Sequence, residues 1–398
     1  MLSESIRFKT IRGEDYEELI DYYREILLNY SVHVSVHRVP DDYVKKTLRP
    51  EFNPDKPRYI LFARVGSGDY TLQFNGHYDV VPPGEGWLRD PFTPLVEDNR
   101  LYGRGSTDMK GGIAAVLASI IYLAQSSEPG VVVEVVLVPD EEIGGVTGTG
   151  YVVNVLGSRP DWVVIAEPSG VDTIYNGHRG LVWFMIKIHG KQAHGSAPWL
   201  GDNAFEKMVK FSSRFIEEYR RILEARVSKY TYEDQNAAKP TINPGGVLIS
   251  PGAVNIVPGV SGFSLDRRLI VEEQVEDVIE EVRELVSNIS SELNLKTEIE
   301  VVEKSSPAYT PEDSLLVTIL KESIRRTLNI EPRTTICVGG LDLRYYTAVN
   351  IPAVAYGPGT VGLAHKPDEY IELSDIAKSI SVYVDFIKRI EEHVYRTS

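Results

Sequence analysis

Hydrophobic and polar residues are arranged in the first half of the chain as in a layered α/β domain. Apolar positions recur at helical spacing from Tyr16 to Leu28, and Gly111 to Leu123 is apolar enough for a buried helix. Runs typical of strands occupy residues 32–39, 59–63, 71–75, 131–138 and 161–166. The last two runs are almost wholly apolar, as in strands that are covered on both faces. We therefore expect an α/β fold with a mixed, largely parallel sheet and helices on both faces.

The pattern changes between about His178 and Val302. Strands and helices are predicted there in the order strand 181–189, helix 203–219, strand 246–250, strand 262–270, helix 272–293 and strand 296–302. This β-α-β-β-α-β order is that of a ferredoxin-like domain. A helix at 315–328 and strands at 334–338 and 351–356 then follow. The sequence therefore predicts a catalytic domain in two parts, 1–177 and 303–398, with a second domain, 178–302, inserted between them.

Size and charge narrow the class of protein. A chain of 398 residues is long enough for about two domains. Its formal net charge of −15 is opposite to the field that a phosphate-binding surface needs, so we expect no nucleic-acid partner. The N-terminal segment alternates charges instead of forming an apolar signal core, and the longest apolar stretch, 111–124, is too short to span a bilayer. We expect a cytoplasmic protein without a membrane span.

Several chemically active side chains have simple structural interpretations. His33 and His37 share one face of the first predicted strand and are expected to face solvent. His189 ends a predicted strand and is interpreted as structural. Cys337, the single cysteine, cannot form an intrachain disulfide and is expected at a buried strand end.

Five segments place carboxylate or imidazole groups at the ends of predicted strands or in adjoining turns. They are F-N-G-H-Y-D-V-V-P with His77 and Asp79, G-R-G-S-T-D-M-K-G-G with Asp108, V-P-D-E-E-I-G-G with Glu141 and Glu142, V-V-I-A-E-P-S with Glu167, and G-L-A-H-K-P-D-E with His365. Each carboxylate taken alone could be a turn residue or a helix cap. Because the ends of parallel strands meet at one edge of a sheet, the five segments can converge.

A cluster of carboxylates in one cleft favours a metal site. The carboxylates would repel one another unless cations lay between them. Histidine with aspartate and glutamate suits zinc, and cobalt, manganese or nickel accept the same ligands. If one aspartate bridges two ions, two imidazoles and two glutamates leave each ion three protein ligands and an open position for a shared water.

These segments resemble the signature of the co-catalytic metallopeptidases that include acetylornithine deacetylase, succinyl-diaminopimelate desuccinylase, aminoacylase and glutamate carboxypeptidases. The resemblance extends to His365 and Glu369, and it implies that the inserted domain is a lid and dimerisation domain. It implies the following roles: His77 and Glu167 bind one metal ion, Glu142 and His365 bind the other, Asp108 bridges them, Asp79 orients His77, and Glu141 is the general base that activates a metal-bridging hydroxide. It also implies a cis peptide bond after Asp108.

The resemblance further assigns roles to the inserted domain. His194, in H-G-K-Q-A-H-G-S-A-P, would donate a hydrogen bond to the oxyanion. In related enzymes this histidine reaches the partner subunit's site, which implies a homodimer. Asn255 and one of Arg267 and Arg268 are candidates for binding a substrate carboxylate, since arginine binds carboxylates through two parallel hydrogen bonds.

One departure from the family pattern concerns specificity. Many relatives carry a hydroxyl residue where this chain has Leu341, between Gly340 and Asp342. The expected function is hydrolysis of the amide bond of N-acyl amino acids or short peptides, of the deacetylase or desuccinylase type. A dipeptidase or carboxypeptidase, and a catalytically silent metal- or peptide-binding homologue, remain the alternatives.

Overall fold

The fold contains ten α-helices and eighteen strands among the residues that the computed structural model describes, which are 1–126, 128–250 and 252–396. The helices are α1 (Leu2–Arg7), α2 (Tyr16–Asn29), α3 (Asp41–Thr47), α4 (Gly111–Ser126), α5 (Thr149–Asn154), α6 (Ala204–Glu224), α7 (Val275–Glu292), α8 (Leu315–Leu328), α9 (Leu343–Thr347) and α10 (Leu373–Arg396). The strands are β1 (His33–Val39), β2 (Arg58–Val65), β3 (Thr71–His77), β4 (Leu95–Glu97), β5 (Arg100–Tyr102), β6 (Val132–Val138), β7 (Trp162–Ile165), β8 (Thr173–His178), β9 (Gly180–His189), β10 (Ala193–His194), β11 (Thr241–Ile249), β12 (Ile256–Val257), β13 (Val260–Leu269), β14 (Lys296–Ser305), β15 (Ala308–Tyr309), β16 (Arg333–Cys337), β17 (Ala353–Ala355) and β18 (Tyr370–Glu372).

The chain divides into two compact units. The first comprises Met1–Asn176, Tyr309–Thr335 and Leu341–Ser398, and the second comprises Gly177–Ala308 and Ile336–Gly340. The second unit is therefore inserted in the first. It also includes the short segment Ile336–Gly340, which lies later in the chain, between two parts of the first unit.

A large mixed sheet forms the centre of the first unit. Its strands follow the order β1-β2-β6-β3-β7-β17-β8-β15, and β16 pairs with β8. Strands β6, β3, β7 and β17 run parallel to their neighbours within that group, whereas β1 and β2 are antiparallel additions at one side. The predicted mixed, largely parallel sheet is confirmed.

Side chains that alternate along the strands bury both faces of this sheet. On one face, Val135 and Leu137 of β6 belong to a hydrophobic cluster with helices α2, α4, α8 and α10. On the other face, Val136 and Val138 pack with residues of α3 and α5. The alternation explains why β6 is almost wholly apolar, and it confirms the prediction of helices on both faces.

Helix α4 lies unusually close to the strand that carries one of the candidate site residues. A Cβ atom added at Gly112 would lie 1.9 Å from the carbonyl oxygen of Ala166, the residue before Glu167. Only glycine allows this approach of helix and strand. Although the segment Ser106–Ser126 is long and apolar enough to cross a membrane by length and composition, 72% of its most apolar window is buried, as in a core helix.

The second unit has a four-stranded antiparallel sheet with the order β11-β13-β9-β14. Helices α6 and α7 pack on it through one hydrophobic cluster that includes Phe184, Phe215 and Val282. The order along the chain is β9, α6, β11, β13, α7 and β14, which is the predicted ferredoxin-like arrangement.

Some local predictions differ from the fold. His37 is only partly exposed, because its ring stacks on Tyr151 with ring centroids 5.6 Å apart. His33 is exposed and Cys337 is buried, as expected. Helix α10 is absent from the elements predicted above, although its amphipathic spacing is a signal for it, and it completes the cluster around α4 and α8.

Candidate metal centre

Five chemically active side chains meet at the edge of the large sheet where its parallel strands end. His77 is the last residue of β3, Glu142 lies in the turn Glu141–Ile143 after β6, and Glu167 follows β7. Asp108 lies in the irregular turn Ser106–Lys110 before α4, and His365 lies in the loop between β17 and β18. Because β3 is parallel to both β6 and β7, the three strand ends lie side by side.

Asp108 lies between the two histidines. Its Oδ1 atom is 3.1 Å from Nε2 of His77, and its Oδ2 atom is 3.3 Å from Nε2 of His365. Glu167 Oε1 is 3.6 Å from Nε2 of His77, and Glu142 Oε1 is 3.0 Å from Nε2 of His365. The five side chains therefore form two imidazole–glutamate pairs, and each pair faces a different oxygen of Asp108. The peptide bond between Asp108 and Met109 is cis, as the family resemblance implies.

The charges of this cluster favour bound cations. Burial raises the pKa of Glu167 to about 8 and, together with the negative charge of Asp342, raises the pKa of Glu141 well above its usual value. Hydrogen bonds to Asp108 and Glu142 raise the pKa of His365 to about 10. The protein alone thus holds protons among these groups, and divalent cations would displace them.

The donor set fits a divalent metal ion. Potential ligand atoms of His77, Asp108 and Glu142 all lie within 4.8 Å of one another, as expected of a compact metal centre. Imidazole nitrogens and carboxylate oxygens are ligands of zinc and of related transition metals.

The ring of His77 is held in the tautomer that a metal ligand needs. Its Nδ1 atom lies 3.0 Å from the main-chain carbonyl oxygen of Asp79. Because a carbonyl oxygen only accepts, Nδ1 carries a hydrogen, so the neutral ring has its lone pair on Nε2, the atom that faces Asp108 and Glu167. The Asp79 carboxylate is farther away, at 3.6 Å from Nδ1.

The Asp79 carboxylate instead holds the turn that carries Glu141 and Glu142. Its two oxygens accept hydrogen bonds from the main-chain N–H groups of Glu141 and Glu142, each at 3.2 Å. On the other side of the turn, the carbonyl oxygen of Gly144 accepts from Arg344 at 2.9 Å and from Tyr345 at 2.5 Å. The turn is therefore fixed at both ends.

A buried ion pair that the sequence did not predict adjoins this turn through Asp140. Asp140 accepts hydrogen bonds from Arg58 at 2.5 Å, Tyr16 at 2.9 Å and Thr147 at 2.6 Å. Both charged side chains are almost completely buried. An aspartate directly before the two glutamates is a visible signal, but its partner Arg58 lies 82 positions away at the start of β2.

In the second unit, His194 and Asn255 are brought together by a two-stranded ribbon. Strand β10 pairs with β12, and the main-chain N–H of Gly195 donates to the carbonyl oxygen of Asn255 at 2.6 Å. Nδ1 of the exposed His194 accepts from the main-chain N–H of Ser196 at 3.1 Å. In the neutral ring the hydrogen is therefore on Nε2, which makes this atom a donor.

The two arginine candidates differ in their surroundings. The Arg267 side chain is fully buried and donates to Tyr219 at 2.9 Å and to Glu273 at 2.6 Å. These internal partners engage the guanidinium group of Arg267, and which of the two arginines contacts substrate stays a prediction. Arg268 is partly exposed and pairs with Asp266 at 2.9 Å. His189 lies 3.5 Å from Glu298 at the surface of the same sheet.

The residue that departs from the family pattern is part of the core of the first unit. Leu341 is 8% exposed, and the neighbouring Asp342 is buried 3.3 Å from the guanidinium group of Arg344. The segment that follows β16 therefore supports the turn after β6 through Arg344 and Tyr345, and it presents no hydroxyl group at position 341.

Paired imidazole and carboxylate side chains at the carboxyl edge of a parallel α/β sheet are the arrangement expected of a metal-dependent enzyme. The sequence model of the family described as "Peptidase family M20/M25/M40" matches residues 73–389. The chain belongs to this family of hydrolases, which act on amide bonds.

Individual relatives agree with this family assignment. The chain is 30% identical to a succinyl-diaminopimelate desuccinylase of Gluconobacter oxydans (strain 621H), over 86% of this chain and 88% of the relative. The structure of an M20 family metallo-carboxypeptidase from Sulfolobus solfataricus is similar with a TM-score of 0.74 and 23% identity, and 97% of each chain is covered. A dinuclear metal-binding M20 peptidase from Bacillus subtilis is similar with a TM-score of 0.71 and 15% identity, over 98% of this chain and 97% of that one. At these identities the two structures show the shared fold.

Proposed function

We propose that the protein is a two-metal amidohydrolase that cleaves the amide bond of N-acyl amino acids or short peptides, with desuccinylation or deacetylation as the first candidate. The observation that carries this proposal is the position of Asp108, whose two carboxylate oxygens face two separate imidazole–glutamate pairs. In this assignment His77 and Glu167 hold one ion, and Glu142 and His365 hold the other. Asp108 is shared between them.

Zinc is the proposed ion, and cobalt or manganese would accept the same ligands. Bound at this centre, the ions would polarise the scissile carbonyl group and lower the pKa of the attacking water. The contribution of the chain is to hold the imidazoles and carboxylates in place. His77 is oriented through the Asp79 carbonyl group, and Asp108 is shared because each of its oxygens faces one histidine.

Glu141 is the proposed general base. It adjoins the ligand Glu142 in a turn that the Asp79 carboxylate fixes through both main-chain N–H groups. Burial raises the pKa of Glu141, which suits a group that takes a proton from water and returns it to the leaving amine.

The inserted unit supplies the remaining proposed roles. The hydrogen on Nε2 of His194 would be donated to the oxyanion, and by the family resemblance it would act in the site of the partner subunit in a homodimer. Asn255 and Arg268 are the proposed contacts of a substrate carboxylate. Asn255 lies beside His194, and the guanidinium group of Arg268 is partly exposed. The proposed location is the cytoplasm.

A dipeptidase or carboxypeptidase activity is the second candidate. It is supported by the structural relatives, which are a carboxypeptidase and a peptidase, whereas the sequence relative from Gluconobacter oxydans is named a desuccinylase. A catalytically silent homologue is disfavoured because the five candidate ligands, Asp79 and Glu141 are all present.

The proposal is tested by a hydrolysis screen with zinc-loaded and cobalt-loaded protein. The substrates are N-succinyl and N-acetyl amino acids and a matched set of dipeptides. We expect release of a free amine from at least one class, and loss of that activity after chelation. Turnover of dipeptides alone would replace the deacylase assignment with the peptidase one, and no turnover of any class by metal-loaded protein would favour the silent homologue.

A further inference from the structure

A buried ion pair between Arg104 and Glu369 contacts the main chain of the Asp108 loop and is not part of the proposed ligand set. The side chains of both residues are at most 1% exposed. We propose that this pair is a positioning device that holds the loops of Asp108 and His365 in the geometry for binding metal. This inference rests on the proposed two-metal function and adds two residues that act through the ligands.

The Glu369 carboxylate is occupied entirely by the loop that carries Asp108. Its Oε1 atom accepts from the main-chain N–H groups of Thr107 at 2.8 Å and of Asp108 itself at 3.1 Å. Its Oε2 atom accepts from the main-chain N–H of Gly105 at 3.1 Å and from Nη1 of Arg104 at 2.5 Å. One side chain thus fixes the main chain that leads into the proposed bridging ligand, from Gly105 to the N–H of Asp108 itself.

The Arg104 guanidinium group connects this loop to two other ligand-bearing segments. It donates to the carbonyl oxygen of Pro83, in the segment that follows His77, at 3.2 Å. It also donates to the carbonyl oxygen of Lys366, the residue after His365, at 3.5 Å. Three segments that are distant in sequence therefore meet at one ion pair.

The hydrogen bonds of this pair are suited to positioning the ligand loops precisely. A buried ion pair loses hydration on folding, and a protein with well-packed apolar residues in its place is often equally stable. A contribution to stability therefore does not explain why Arg104 and Glu369 are buried here. The hydrogen bonds of the pair go to the main chain of ligand loops, which hydrophobic packing could not direct. Groups that orient metal ligands typically contribute about 10- to 100-fold to metal affinity, and we expect Glu369 to act in this range.

The test compares the affinities of three variants for Co²⁺ with that of the full wild-type chain. Glu369→Gln keeps the size of the side chain but replaces one acceptor oxygen by a donor group that faces main-chain N–H groups. Arg104→Lys keeps a cation next to an intact Glu369. The matched control is Glu273→Gln in the inserted unit, where a largely buried glutamate likewise pairs with an arginine, Arg267, and accepts a main-chain N–H from Ile270.

Affinity is measured by competition with a chromophoric chelator, and the visible absorption spectrum of bound Co²⁺ reports ligand geometry. We expect Glu369→Gln to bind Co²⁺ about 10- to 100-fold more weakly with an altered spectrum, Arg104→Lys to lose less, and Glu273→Gln to match wild type. If Glu369→Gln does not fold, Glu369→Asp takes its place with the same expected order.

Two results would overturn the inference while leaving the proposed function intact. One is wild-type Co²⁺ affinity and spectrum in folded Glu369→Gln. The other is an equal loss of affinity in Glu273→Gln, which would indicate a general effect of lost stability. A wild-type chain that binds no Co²⁺ would instead overturn the proposed function and this inference together.

Discussion

Replacing Asp79 with asparagine is expected to slow turnover without removing metal. The carboxylate accepts one main-chain N–H from Glu141 and one from Glu142, at 3.2 Å each. An amide has a single acceptor oxygen, so Asp79→Asn leaves one of these donors facing an NH₂ group. Loss of a hydrogen bond to a charged group corresponds to about 1.5 to 3 kcal/mol, or roughly 10- to 150-fold in kcat.

The same variant separates two possible roles of Asp79. Because Nδ1 of His77 bonds to the main-chain carbonyl of Asp79, which the substitution retains, we expect the metal content to stay at the wild-type value. The assay is steady-state kinetics on the best substrate of the hydrolysis screen, with metal content measured by elemental analysis of the same samples.

Asp161→Asn is the matched control for this variant. The Asp161 carboxylate also accepts a main-chain N–H, that of Thr71 at 2.7 Å, but at the opposite end of β3. Asp161→Asn should therefore leave kcat unchanged. Wild-type kcat in Asp79→Asn would refute the role in the turn, and a loss of metal that parallels the loss of activity would show that the carboxylate mainly orients His77.

Three further predictions follow from the site. Glu141→Gln should lower kcat by roughly 10² to 10⁴ with metal retained, as expected for a general base. If Glu141→Gln loses metal and Glu142→Gln retains it, then Glu141 is the ligand and Glu142 the base. Zinc binding at neutral pH should release protons and tighten as the pH rises, because the metal-free site has pKa values of about 10 for His365 and about 8 for Glu167. Calorimetry in buffers of different ionisation enthalpy measures this release, and affinity independent of pH would contradict it. His194→Ala should lower kcat by on the order of 10² to 10³. If the histidine acts in the site of the partner subunit, mixing this variant with Glu141→Gln should restore activity. Verified heterodimers without activity would contradict that role.

The site residues that the sequence could predict are those that lie at the ends of strands. His77, Glu142 and Glu167 follow apolar runs that form parallel neighbours, so their convergence follows from the architecture of the sheet. His365 belongs to the same five segments, but its loop lies well beyond the predicted strand 351–356, so its convergence follows less directly from the sheet. The structure then brings its imidazole to 3.3 Å from Asp108.

The supporting contacts could not be predicted, because they join residues that are far apart in sequence. Arg104 and Glu369 are separated by 265 positions, and neither lies in a periodic segment that indicates burial. Nor could the sequence distinguish Arg267 from Arg268. The two positions alternate in β13, so the side chain of Arg267 points into the core of the inserted unit, whereas that of Arg268 is partly exposed.

The most direct test of the two-metal account is a zinc titration of metal-free protein with binding and hydrolysis followed in the same samples. The account predicts that zinc binding saturates at about two ions per chain and that activity reaches its maximum only when the second ion is bound. Full hydrolytic activity in rigorously metal-free protein would contradict it, as would maximal activity at a single ion with no second ion bound.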